Sequence, residues 1–64
     1  MDLYQGENYG VFAVSNGYYV ARIVADGINY CEALSGGEGW SEEVLEQCDN
    51  QAVELDSMAA LLAE

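Results

Sequence analysis

Between Gly39 and Glu64 the apolar residues Leu45, Cys48, Ala52, Leu55, Ala59 and Leu62 recur at steps of three and four. That is the period of a helix with one buried seam. Ser41 stands just before the pattern, where its hydroxyl oxygen can accept from a free backbone N–H of the first turn. Glu42 and Glu43 put negative charge at the positive end of the helix dipole, so the start is well signalled. Glu64 adds negative charge at the other end, which predicts fraying there. Asp49-Asn50 leaves a second arrangement open, two short helices with one of these residues capping the second. The expectation is one long helix, continuous or kinked.

A helix with one apolar face needs a partner layer, and the residues before it supply one. Tyr9 to Ser15 and Tyr18 to Ala25 are rich in Val, Ile and aromatics, and Asn16-Gly17 divides them as a type I′ hairpin turn would. Asp26-Gly27 repeats the signal before Ile28 to Leu34. The predicted fold class is therefore α+β, a three-stranded antiparallel meander over about Tyr9 to Leu34 followed by one C-terminal helix packed on one sheet face. Two-residue turns pair Val14 with Tyr19, Phe12 with Ala21, Ile23 with Tyr30 and Tyr19 with Leu34, and this set is assigned to the core. Val11, Val20, Val24 and Tyr18 then lie on a spare face. If Cys31 and Cys48 meet instead, the faces are swapped, with Glu32 outward and Arg22 buried. Residues 1 to 8 read as a loose arm or a short edge strand. Leu34 to Trp40 is a glycine-rich connection, and Trp40 is expected as a core anchor stapling the helix start to Val44 or Leu45.

Sixty-four residues form one domain, 1–64, with a thin core and little room for an enclosed active site. The formal charge of −11 comes from twelve acids against the single base Arg22, which is expected to pair with Glu32 or Asp2. Such a balance excludes a direct nucleic-acid binder, which needs cations to replace counterions on phosphate, and it opposes binding to anionic membrane surfaces. Hydrophobic residues make up 52% of the chain, enough to fold despite the charge. No segment reads as a membrane span or signal peptide, and the expected location is the cytoplasm. In a reducing compartment Cys31 and Cys48 default to buried thiols, with a bridge between them left open.

Without His or Lys the commonest general base and the usual activated nucleophiles are missing, so no catalytic residue is expected and the chain is read as a non-enzyme. Gly36-Gly37-Glu38-Gly39 lacks the Lys-Ser/Thr ending of a phosphate loop and is a connector. Two cysteines cannot complete a zinc site, and Asp49 to Asp56 lacks the pattern of a calcium loop, so neither metal nor cofactor is expected. What remains is a ladder of acids. Glu42, Glu46, Asp49 and Asp56 form one helical stripe, Glu43 and Glu54 a second beside it, with no base among them. Like charges four apart repel by a few tenths of a kcal/mol each, so a stable helix would normally intersperse Lys. A cationic partner would remove that repulsion. Acids at this spacing lie roughly 5 to 6 Å apart, comparable with successive phosphates of a nucleic-acid strand. Glu32 and Glu38, with Asp2, Glu7 and Asp26, extend the charge across the domain edge.

In size, charge, meander-plus-helix order and the run Glu42, Glu43, Glu46, Asp49, Glu54, Asp56, the chain resembles small acidic phage-encoded anti-CRISPR proteins of the DNA-mimic type. The resemblance implies an inhibitor of type I systems, with type I-C as the system suggested. It further implies a partner that is a basic nucleic-acid-binding Cas subunit, bound by the ladder together with Glu38 and Glu32, in a host cytoplasm. The alternative function is a structural or regulatory interaction module, a phage assembly factor or a homodimer using the apolar spare sheet face.

Overall fold

The computed structural model describes residues 3–24 and 31–63, with the backbone alone at Cys31. Three antiparallel strands, β1 (Tyr9–Val14), β2 (Gly17–Ile23) and β3 (Cys31–Glu38), form a sheet in the order β1-β2-β3, and one helix, α1 (Glu42–Ala63), packs on it. The α+β meander-plus-helix architecture expected from the sequence is the architecture found. Asp49 and Asn50 sit inside the one α1 without breaking it. Among the described residues no helix is long and apolar enough to cross a membrane. The expected Asp26-Gly27 turn, and any pairing through the Cys31 side chain, lie outside the described residues.

The first hairpin turns one residue earlier than Asn16-Gly17 suggested. Ser15 and Asn16 form the turn, and Gly17 begins β2 opposite Val14. The expected pairs Val14–Tyr19 and Phe12–Ala21 are thus replaced by Val14–Gly17 and Phe12–Tyr19. The physical reason lies in what Gly17 is used for. Gly17 bridges Gly39, the Gly39 N–H donates to the Asn16 carbonyl at 2.7 Å, and a Cβ on Gly17 would collide with the Gly37 carbonyl oxygen. The glycine answers the close approach of two backbone segments, 16–17 and 37–39. Between β2 and β3, Ile23 pairs with Cys31 rather than Tyr30, a shift of one residue, and a bulge at Val20/Ala21 adds a second, so that Tyr19 pairs with Gly36 rather than Leu34.

The buried face is the one assigned to solvent. Val11 and Val20 are fully buried and cluster with Leu45, Cys48 and Ala52 of α1, while Leu3, Tyr4, Tyr18, Val44 and Leu55 pack around them. Both faces of β1 and β2 are apolar, so a period of two could not choose between them. Packing explains the choice. Small Cys48 and Ala52 bring the helix close to a flat surface of valines, whereas Phe12 and Tyr19 would hold it off. The spare face therefore carries Phe12, Val14, Tyr19 and Ile23, not Val11, Val20 and Tyr18. Arg22 is not buried by the swap: it binds Glu32 at 2.8 Å with both side chains more than half exposed (53% and 59%).

Two further expectations fail at the ends of α1. Trp40 is 54% exposed and meets Tyr18 edge-on, ring centroids 5.2 Å apart, instead of anchoring the core. Val44, four residues on, does the packing instead. The seam also outruns the sheet. Leu45, Cys48 and Ala52 are buried, Leu55 and Ala59 half-buried, and Leu62 is 86% exposed. A helix of 22 residues spans about 33 Å, while a strand of eight covers roughly 27 Å, so the last turns overhang.

Candidate functional site

Ser41 caps α1: its Oγ accepts from the Val44 N–H at 3.3 Å, and its carbonyl accepts from the Leu45 N–H at 3.2 Å. The cap fixes the rotation of the first turn, so the seam through Leu45 and Cys48 turns to the sheet and the acids turn away. Glu42, Glu43, Glu46 and Glu54 are exposed. Asp49 and Asp56 are half-buried at the border between polar face and core. The ladder is therefore not one surface but two, a solvated row of glutamates and a pair of aspartates turned toward the N-terminal arm.

Asp56 is fully engaged within the chain. Its Oδ2 accepts from the Tyr4 hydroxyl at 2.9 Å, and its Oδ1 accepts from the backbone N–H of Asn8 at 2.8 Å and of Tyr9 at 3.3 Å. The Asn8 N–H contributes most to holding this carboxyl below its ordinary pKa, helped by the Tyr4 hydroxyl and the N–H groups of Tyr9 and Glu7, and together they outweigh the partial burial that pushes it up. Tyr4 is pushed the other way, chiefly by its hydrogen bond to Asp56, then by burial and by the charges of Asp56 and Asp49. Burial also raises the Cys48 thiol, a free cysteine with no sign of activation.

The arm that Asp56 holds is a small hairpin. Gln5 bridges Gly10, the Gly6 N–H donates to the Tyr9 carbonyl at 2.9 Å, and the Val11 N–H donates to the Tyr4 carbonyl at 2.9 Å. Neither reading of residues 1 to 8 fits the described residues 3–8: they are tied down by hydrogen bonds, yet Gln5 makes only an isolated bridge and no strand forms. Sequence reading did not find the partners of Asp56. The available signal was local: Asp56 stands one position from the seam residue Leu55, where a carboxylate must find donors or stay wet.

Of the remaining acids, Glu32 is bound to the chain's one base, and Glu38 is exposed at the end of β3. The structure thus brings Glu42, Glu43, Glu46 and Glu54 together on α1, leaves Asp49 at their edge, and separates Asp56, Glu32 and Glu38 from them. The far face of the sheet differs in kind. Phe12 and Tyr19 pair there with ring centroids 5.6 Å apart, and along the described parts of β1 and β2 that face carries no charged residue.

Fold and surface together define a small α+β domain with an acidic helix on one side and an apolar sheet face on the other. Comparison with protein-family models, curated proteins and solved structures finds no match for the chain.

Proposed function

We propose that this chain is a binding protein that inhibits a CRISPR–Cas effector by presenting a DNA-like acidic surface to a basic nucleic-acid-binding subunit. The observation that carries the reading is the lopsided charge. Glu42, Glu43, Glu46 and Glu54 are exposed on one helix with no base beside them, while the chain's one cation is neutralised by Glu32 elsewhere. A dense one-signed field steers a basic groove onto the helix and competes with phosphate for it. The protein works in the cytoplasm by occupancy, without catalysis. Asp49 borders the contact, Glu38 and Glu32 lie apart from it, and Asp56 serves it only indirectly by fixing the arm beside the helix.

A mobility-shift competition between this protein and duplex DNA for a type I effector tests the proposal. Displacement of DNA that weakens steeply with salt is the expected result. Undiminished DNA binding in excess protein rules out mimicry, and blocked nuclease recruitment under those conditions would point to inhibition at another surface of the effector.

One observation favours a second reading, an interaction module or homodimer. The uncovered face with Phe12, Tyr19 and Ile23 offers the apolar area that salt-insensitive association needs. Mass measurement in solution separates the two, since a dimer unchanged between low and high salt belongs to this reading alone.

A further inference from the structure

At the hairpin end of the uncovered sheet face, Val14, Asn16, Tyr19, Gly36 and Glu38 line an open cavity of about 220 Å³. The geometry points to a binding site here for one arginine side chain of a basic partner protein. The site lies across the sheet from α1 and goes beyond the DNA-mimic reading, which rests on the helix.

The cavity exists because of the pairing register. Gly36 stands opposite Tyr19, and a Cβ on it would come within 2.7 Å of both the Tyr19 Cβ and the Tyr18 carbonyl oxygen, so no side chain fills the floor. The Tyr19 ring packs against that of its cross-strand neighbour Phe12. The volume is smaller than the roughly 300 to 1,000 Å³ typical of cofactor and drug-sized sites, yet several times the ~30 Å³ of a water. It suits one side chain.

Its chemistry selects the class. Val14 and Tyr19 bring apolar and aromatic residues to its lining, and Glu38, exposed at the end of β3, brings the one acidic residue. An anion meets Glu38 and a chain of net charge −11, and an uncharged apolar group gains nothing from that charge. A cation on an apolar stem answers both. Of the two such side chains, the guanidinium is flat, stacks on an aromatic face and offers paired N–H donors to a carboxylate. The chain cannot fill the site itself, because its only base, Arg22, is bound to Glu32 farther along β2.

The test is a titration of the ¹⁵N-labelled full chain with N-acetyl-arginine methylamide, followed by amide shifts, with the citrulline and lysine counterparts as separate arms. Arginine should give saturable shifts centred on Tyr19, Gly36 and Glu38, and citrulline none. Glu38→Gln, at an exposed position, should weaken the arginine response about two- to fivefold, and Tyr19→Leu should do likewise. Glu46→Gln should leave it unchanged. Absence of saturable shifts, an equal response to citrulline, or shifts that follow the α1 acids and ignore Glu38→Gln would overturn the site. Lysine binding as tightly as arginine would overturn the guanidinium assignment.

Discussion

Asp56 joins two parts of the chain that are 48 residues or so apart, and a single carboxylate does so because it accepts from three donors at once. Asp56→Ala should cost about 1 to 2 kcal/mol in denaturant unfolding, since it leaves two backbone N–H groups and a hydroxyl without their partner. Tyr4→Phe removes one of the three bonds and should cost less. The pH dependence has a definite sign. Because the folded pKa of Asp56 lies below the ordinary 3.8, its contribution is complete above that value and is lost as pH falls through the folded pKa. Tyr4, raised above 10.0, contributes below that value and loses its contribution as pH rises through its folded pKa. Amide exchange of the Gly6–Tyr9 turn should therefore quicken at acid pH before the sheet amides do, and Asp56→Asn should abolish that early step. In the core, Leu45→Ala should cost about 3 kcal/mol by leaving a cavity. For a chain of this length that is a large part of the total stability, so the variant should be substantially unfolded by circular dichroism at modest urea.

Among the elements, α1 is uneven along its length. Its first half is capped by Ser41 and buried through Leu45, Cys48 and Ala52, whereas its last turns carry Leu61 and Leu62 at 72% and 86% exposure with no basic residue in the final turn. Hydrogen exchange should report the difference as protected amides near Cys48 and rapidly exchanging ones beyond Ala59. Leu62→Gln should change stability by less than about 0.5 kcal/mol, and a larger loss in thermal unfolding would mean that something covers this end of the helix. The sheet is uneven too. Its β1 and β2 lie under α1, while residues 32–38 of β3 are exposed throughout. The edge is blunted by a bulge, the Glu32 and Glu38 charges and two glycines, features that discourage edge-to-edge pairing.

For the whole molecule, the separation of an acidic helix from a largely apolar sheet face makes the two surfaces independently testable. Changing Glu43, Glu46 and Glu54 together to Lys should leave the helical spectrum intact, because Lys is a comparable helix former and the seam is untouched, apart from a few tenths of a kcal/mol lost near the dipole's positive end. If the DNA-mimic proposal holds, inhibition should fall far more than removal of one rim charge would produce, since each attraction becomes a repulsion in the partner's positive field. If the folded variant inhibits at wild-type concentrations, the helix face is not the binding surface. The face with Phe12, Tyr19 and Glu38 then takes its place.

The helix, its cap and the three-strand order were legible in the sequence because each is set locally, by the period of Leu45, Cys48 and Ala52, by Ser41 before two glutamates, and by turn residues between apolar runs. Exposure of the glutamates followed from the same period. What the sequence left undecided were choices between local arrangements of nearly equal quality. Val11 and Val20 on one face and Phe12 and Tyr19 on the other are both apolar, and only contact with small residues on α1 selected the valines. Asn16-Gly17 suits a turn, yet the approach of Gly37 and Gly39 drew Gly17 into the strand. Asp56 had the same spacing as the solvated acids, and it left their company because the fold brought Tyr4, Asn8 and Tyr9 to it. Periodicity assigns a residue to a face, but what lies opposite that face depends on segments distant in the chain, and that contact is decided only when the layers pack.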